Sequence, residues 1–182
     1  MGDDVRIVPY DPRWPAMYEA EAARLRAVLD PAQVVGMEHF GSTAVPGLAA
    51  KPIIDILIAV RSLAVARATM VAPIADLGYA FWPDNPKPDR MFFVKGMPPF
   101  GRRRTHHAHI TEPDGEMWRR RLPFRDHLRA NPAEARRYEA LKHELAERHG
   151  ADREAYSEAK TAYCEALYRR LGLINPSSST SE

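Results

Sequence analysis

This 182-residue chain has only one cysteine, no long hydrophobic run and little excess of charge of one sign. The one cysteine, Cys164, excludes an intrachain disulfide and favours a reducing compartment. No apolar run approaches the roughly 20 residues of a membrane-spanning helix. The N-terminal sequence MGDDVRIVPY also lacks the apolar segment of a secretory signal. We therefore expect a soluble, cytoplasmic protein without a membrane partner.

The charge is balanced overall but clustered locally. The chain has 26 lysines and arginines against 24 acidic residues, which gives a formal net charge of +2. This excess is too small for a protein that binds long nucleic acids through a general positive surface. Two runs of three arginines, 102–104 and 119–121, could nevertheless form a patch that holds a phosphate-bearing small molecule.

The hydrophobic pattern predicts an α/β (α+β) fold in a single domain. Hydrophobic residues make up 45% of the chain and charged residues 27%, as in globular proteins. The elements follow the order helix, two strands, helix, two strands and about three helices, which fits a small mixed β-sheet with packed helices. We expect the domain to span residues 1–173, with a sheet core over about 1–112 and a helical extension over about 113–173. The polar residues 174–182 are expected to form a disordered tail.

Turn and capping signals place the individual elements. Asp11-Pro12 is typical of a helix start; this helix would reach about Leu29, with Met17, Leu25, Val28 and Leu29 facing inward. Ser62 and Gly78 bound the second helix, Asn131 and Glu134 resemble a capping box, and Asp152 can cap the last helix. The predicted strands are Val34–Phe40, Pro52–Val60, Met91–Lys95 and Thr105–Thr111.

The segment from Glu38 to Ile58, EHFGSTAVPGLAAKPIIDILI, holds the residues best suited to chemistry. A strand ends at Gly41-Ser42, where glycine allows a close approach of the backbone and serine offers a hydroxyl to phosphate oxygens. Thr43 follows in the same turn. Asp55 then interrupts an apolar strand, where a carboxylate is costly unless it is paired, hydrogen-bonded or bound to a metal. Backbone N–H groups or Lys51 could satisfy it without any ligand.

Two histidines of a later strand are predicted to share one face. Alternation along Thr105–Thr111 puts His107 and His109 on one side, with Ala108 and Ile110 on the other, toward the core. If the sheet brings Asp55 close, the set could bind Zn²⁺, Mn²⁺ or Fe²⁺ better than Mg²⁺, which prefers oxygen ligands. Histidines that bind phosphate or transfer protons without a metal are the alternative.

Several sequence segments together resemble the GrpB family, the UPF0157 group, which is assigned to the nucleotidyltransferase superfamily. The resemblance spans about Val8 to Leu171. It is carried by VPYDPRWP, EHFGSTAVPGLAAKPIIDILI, MFFVKG, THHAHI, FRDHLRANP, YEALKHELAERHG and DREAYSEAKTAY.

The resemblance implies a nucleotide site with a divalent metal, Mg²⁺, Mn²⁺ or Zn²⁺. In that superfamily a Gly-Ser turn, matched by Gly41 and Ser42, holds a triphosphate, and two acids one residue apart bind metal. Asp55 matches the first acid, but Leu57 stands at the second, and the strand THHAHI offers no third acid. This departure matters because two-metal phosphoryl transfer needs carboxylates for both ions.

The remaining candidates for phosphate contacts are Lys51, Lys95, Arg103, Tyr156 and Lys160. Three functions follow. The first is a nucleotidyltransferase-like enzyme that binds a nucleotide or another phosphorylated small molecule and transfers a nucleotidyl group to a small acceptor. The second is a nucleotide-binding module that has lost catalysis. The third is a metal-assisted hydrolase or transferase that uses Asp55, His107 and His109.

Overall fold

The computed structural model describes residues 5–84 and 87–174 and confirms the α/β class. In chain order the elements are α1 Trp14–Val28, β1 Val34–Phe40, a 3₁₀ turn Ser42–Ala44, β2 Ile54–Val60, α2 Leu63–Thr69, α3 Val71–Asp76, β3 Tyr79–Phe81, β4 Arg90–Lys95, β5 His106–Thr111, α4 Glu116–Ala130, α5 Pro132–His149 and α6 Arg153–Arg170. No helix within the described ranges is long and apolar enough to cross a membrane.

The five strands form one mixed sheet in the order β1-β2-β5-β4-β3. β2 lies inside the sheet, as its apolar sequence predicts, and pairs antiparallel with β1 and parallel with β5. The parallel register sets Asp55 beside His107 and Leu57 beside His109. Because strand residues alternate in direction, this register places the three polar side chains on the same face of the sheet.

The two faces of the sheet have different neighbours. Helices α1 to α3 pack on one face, where Ile54, Ile56, Ile58, Ala108 and Ile110 belong to the main hydrophobic core. This confirms that Ala108 and Ile110 point away from the histidines. On the other face Leu57 packs with Phe40 of β1 and Met117 of α4. A further apolar cluster joins α4, α5 and α6 to residues 45–48.

Several local predictions were wrong in detail. In α1 the buried side chains include Trp14, Tyr18, Ala22 and Leu25, while Met17 is 40% and Val28 is 37% exposed. The inward stripe thus runs along a different side of the helix from the one predicted, although Leu25 and Leu29 are buried as expected. The helix after Ser62 is divided at Met70 into α2 and α3. The three-residue strand β3 was not predicted.

The predicted caps had mixed outcomes. Ser62 accepts a hydrogen bond from the Val65 N–H, and Asp152 accepts from Glu154 and Ala155, so both caps are confirmed. Asn131 makes no side-chain cap. The Glu134 carboxylate instead accepts from the Tyr163 hydroxyl and the Arg170 guanidinium, which ties α5 to α6. From residue 175 onward the predicted tail lies outside the described residues.

Helix α5 is attached to the segment before β2 through Ala49. The Lys142 ammonium donates to the Ala49 carbonyl oxygen, and the Glu139 carboxylate accepts from the Ala49 N–H at 2.8 Å. Lys142 is only 2% exposed. Burial, and next the charge of Lys160, lowers the pKa of Lys142 to about 7. Folding therefore disfavours the charged form of this side chain.

We expect Lys142→Met to reduce the pH dependence of stability. The unfolded chain holds this proton up to a pKa of about 10.4, whereas the folded chain releases it near 7. The folded state is therefore destabilised as the pH falls from about 10 to about 7. Methionine keeps the apolar stem and removes the charge. Denaturant unfolding should favour the variant over the wild type more at about pH 6 than at about pH 9.

Lys87→Met provides the control, because the same substitution is made at an exposed lysine. Its difference from the wild type should vary less with pH than that of Lys142→Met. The hydrogen bond to Ala49 is stronger for the charged lysine, so its loss would destabilise the variant more at low pH, which is opposite to the predicted effect. An equal difference between Lys142→Met and the wild type at both pH values would contradict the account.

Candidate functional site

A cleft of about 260 Å³ lies between the Asp55 face of the sheet and helices α4, α5 and α6. Sheet residues, the turn after β1 and the three helices all contribute to its wall. The residues that line it and bear on its chemistry are Phe40, Gly41, Ser42, Thr43, Lys51, Asp55, Arg90, His107, His109, Met117, Arg121, Arg125, Tyr138, Lys142, Tyr156 and Lys160.

Asp55, His107 and His109 form a compact group with the dimensions of a metal site. One ligand atom from each residue lies within 4.8 Å of the others. His107 Nδ1 is 3.0 Å from Asp55 Oδ1, and the Asp55 side chain is 26% exposed. When Nδ1–H donates to the carboxylate, a neutral imidazole keeps its free electron pair on Nε2. A carboxylate so placed orients the ring for metal binding or for proton transfer.

The surroundings of this group leave imidazole nitrogen atoms available to a ligand. Burial, and next the neighbouring His107, lowers the pKa of His109 to about 3, so this ring is neutral at ordinary pH. Burial raises the pKa of Asp55, but the hydrogen bond with His107 and nearby positive charges lower it by more, so it falls below the ordinary value. Within the described residues, His107 Nε2 and His109 Nδ1 are buried and have no hydrogen-bond partner. Such atoms are uncommon unless a ligand or water completes them.

The Gly41-Ser42 turn packs directly against this group. Gly41 has φ +74°, and a Cβ at this position would overlap the Asp55 carboxylate. Glycine is therefore required both by the backbone conformation and by the close approach. Ser42 begins the 3₁₀ turn and lines the cleft. The turn is thus held next to the acid, as expected for a loop that positions an anion beside a metal ligand.

Thr43 and His39 hold the turn in place through hydrogen bonds. The Thr43 hydroxyl donates to the Ile53 carbonyl oxygen at 3.2 Å and is 3.0 Å from His39 Nε2, which must then donate to it. Burial lowers the pKa of His39 to about 4, which keeps the ring neutral, and the ring stacks on Tyr18. Thr43 therefore holds the turn rather than offering a free hydroxyl.

Positive charge accumulates on the helical side of the cleft. Lys51 Nζ lies 4.8 Å and Lys160 Nζ 5.8 Å from the centre of the Tyr156 ring, and Lys142 Nζ lies 5.0 Å from that of Tyr138. Arg121 also lines the cleft. Asp55 is the one carboxylate among the described lining residues. The cleft is therefore suited to anions.

Two predicted phosphate ligands lie elsewhere. Lys95 points to the α1 side of the sheet, where its Nζ is 2.6 Å from Glu21 Oε1. Arg103 lines a separate shallow depression beside Gly78 and Phe100. The structure brings Gly41, Ser42, Thr43, Lys51, Tyr156 and Lys160 to the cleft with Asp55 but does not bring these two.

The sequence analysis named Arg121 only within the basic run 119–121 and did not select Lys142 as a site residue. A signal existed for both. Arg121 ends one of the arginine runs, and Lys142 stands between Tyr138 and Leu145 on the buried stripe of α5. A lysine at a position where the helical repeat calls for an apolar residue is a reason to expect a special environment.

Comparison with known proteins shows relatives along nearly the whole chain. A UPF0157 protein of Pseudomonas aeruginosa is 49% identical over 173 residues, which cover 93% of this chain and 67% of the relative. The glutamate-rich protein GrpB of Alkalihalophilus pseudofirmus is 30% identical over 92% of this chain and 96% of the relative. A dephospho-CoA kinase of Mycolicibacterium paratuberculosis is 33% identical over 91% of this chain, but only 46% of that relative is covered.

A solved structure and a family model agree with these relatives. The crystal structure of the conserved protein GrpB from Enterococcus faecalis superposes with a TM-score of 0.75 at 32% identity. The match covers 90% of this chain and 99% of that one. The model of the GrpB protein family matches residues 4–170. On the sequence, the fold and these matches together, the chain belongs to the GrpB family.

Proposed function

We propose that the protein is a metal-dependent, nucleotidyltransferase-like enzyme that binds a nucleotide or another phosphorylated small molecule. One observation carries this proposal: a single cleft is lined by an acid, two imidazoles, a Gly-Ser turn and several cations. Metal ligands, a loop that approaches closely and positive charge are the parts that phosphoryl and nucleotidyl transfer require.

The residues have separate roles in this proposal. Asp55, His107 and His109 would hold a divalent ion, which polarises a phosphoryl oxygen when bound. Two nitrogen ligands favour Zn²⁺ or Mn²⁺ over Mg²⁺, which prefers oxygen. Gly41 and Ser42 approach the reacting phosphoryl group, and Arg121 neutralises its charge. The relative named as a dephospho-CoA kinase supports a nucleotide-type ligand.

Leu57 distinguishes this site from the two-acid pattern of the nucleotidyltransferase superfamily. Its side chain is fully buried and packs between Phe40 and Met117. The position expected to hold a second acid therefore belongs to the apolar core, while His109, its neighbour across the strand pair, supplies a nitrogen ligand. We infer a site for one ion that combines carboxylate and imidazole ligands.

The lack of a second carboxylate among the described cleft residues favours one alternative, a binding module without turnover. Two-metal phosphoryl transfer needs more acidic ligands than Asp55 alone. Incubation of the metal-loaded protein with ATP, GTP, CTP and UTP, each with and without coenzyme A, distinguishes the two. Nucleotide consumption that requires metal supports the enzyme. Tight binding without consumption supports the module.

We expect Asp55→Asn to weaken metal binding strongly while the fold is kept. Asparagine has nearly the same shape but loses the negative charge that the ion requires. Zn²⁺ or Mn²⁺ at about 100 times its dissociation constant should stabilise the wild type by about 2.7 kcal/mol, seen as a raised melting temperature. Asp55→Asn should lose about half of this shift or more, because isothermal titration should show at least about a tenfold loss of affinity.

Asp84→Asn is the matched control, because Asp84 is exposed and is not among the residues that line the cleft. It should bind metal as the wild type does. Retention of full metal affinity in Asp55→Asn would exclude this carboxylate as a ligand. A stronger response of the wild type to Mg²⁺ than to Mn²⁺ or Zn²⁺ would contradict the mixed ligand set.

We also expect that restoring the second acid fails. Leu57→Asp puts an unpaired carboxylate into an apolar cluster, which should lower the free energy of unfolding by at least about 3 kcal/mol without improving Mg²⁺ binding. Denaturant unfolding checks this. Leu57→Met, which conserves volume, should cost less than about 1.5 kcal/mol. A stable Leu57→Asp variant with raised Mg²⁺ affinity would favour the two-acid arrangement.

A further inference from the structure

Three lysines from three different parts of the chain converge on the helical side of the cleft. Lys51 precedes β2, Lys142 lies on α5 and Lys160 lies on α6. All three line the cleft, and the ammonium groups of Lys51 and Lys160 both lie over the Tyr156 ring. We call these residues the ammonium cluster.

No described carboxylate forms an ion pair with any member of the ammonium cluster. Glu139, which lies three residues before Lys142 on α5, accepts from the Ala49 N–H with its carboxylate. Asp55 is hydrogen-bonded to His107. Lys142 donates one hydrogen bond, to Ala49, which leaves two of its three donors for another partner.

Holding these like charges together is costly for the folded chain. Burial, and next the charge of Lys160, lowers the pKa of Lys51 to about 7. The same two causes act in the same order on Lys142. Buried cations are normally paired within the protein. The charges of Asp55 and Glu139 offset this cost only in part. A cluster that lines a cleft without an ion pair among the described residues indicates that a ligand supplies further negative charge.

We propose that Lys51, Lys142 and Lys160 bind a phosphomonoester group of the substrate, separate from the group that Asp55, His107 and His109 act on. A phosphomonoester carries about −1.5 to −2 charges at pH 7 and three terminal oxygens, so three ammonium groups can each contact one oxygen. A carboxylate offers two oxygens and half the charge.

The substrate is then a phosphorylated small molecule whose phosphate lies apart from its reacting group. The separation of this phosphate from the reacting group rests on the proposed function, whereas phosphate binding by the ammonium cluster does not. A volume of about 260 Å³ lies just below the range of about 300–1,000 Å³ for typical ligand pockets. A compact phosphorylated compound fits, whereas a whole nucleotide would extend beyond the cleft.

Because the cluster contains no metal ligand, phosphate binding should not require metal. We would titrate inorganic phosphate into the protein in EDTA and follow it by calorimetry and by the melting temperature. The wild type should bind phosphate and gain stability, and acetate should neither bind nor compete. Lys51→Met and Lys160→Met should each weaken phosphate binding by at least about tenfold, since each removes one charge-assisted contact.

These two variants should also be at least as stable as the wild type without phosphate. Removing one ammonium relieves repulsion within the cluster, so stability and phosphate response should change in opposite directions. A purely structural role for these lysines would lower both. Arg103→Met, at an exposed arginine outside the cleft, should match the wild type in both measurements.

Asp55→Asn separates this proposal from the proposed function. It should bind phosphate in EDTA at least as tightly as the wild type, since no charge-assisted contact to phosphate is lost and one negative charge of the cleft is removed. Failure of all metal titrations would therefore leave this result intact. Absence of phosphate binding by the wild type, unchanged affinity in both lysine variants, or equal binding of acetate would each overturn the proposal.

Discussion

The parallel pairing of β2 with β5 is the constraint on which the rest of the structure depends. Its register sets Asp55 directly beside His107, with His109 one alternation further on the same face. The same alternation turns Ile56 and Ala108 into the core beneath α1 to α3. A shift of one residue in either strand would bury the polar group and expose the core. The chemistry and the stability of the sheet are therefore fixed by one set of backbone hydrogen bonds.

The charges near the β2–β5 pair explain why helices α4 to α6 matter for the cleft. One carboxylate faces several cations, and the lysines come from the segment before β2 and from α5 and α6. The clamp of Lys142 and Glu139 on Ala49 links α5 to the chain that leads into β2. Helix packing thus brings the ammonium groups to the same cleft as the acid and the imidazoles, at a cost in free energy that a bound anion would offset.

The sequence predicted what depends on local pattern and failed where distant parts meet. Alternation alone paired His107 with His109, and glycine chemistry marked the turn at Gly41. That Asp55 lies beside them follows from pairing between strands about 50 residues apart, which no local pattern contains. The same limit applies to Lys95 and Lys51: both are lysines at strand ends, and only the assembled sheet shows which one faces the cleft. In α1 the stripe was misplaced because Trp14 and Tyr18 bury more than Met17 and Val28. Lys142 was not predicted as a buried cleft residue, since lysines are usually exposed.

Anomalous X-ray diffraction from crystals grown with Mn²⁺ or Zn²⁺ tests the central claim most directly, because it locates the ion without reference to activity. We predict one peak with an Asp55 carboxylate oxygen and one nitrogen each of His107 and His109 at about 2.0–2.2 Å. A peak held by other residues, or no peak in the cleft of a crystal soaked at saturating metal, would contradict the account.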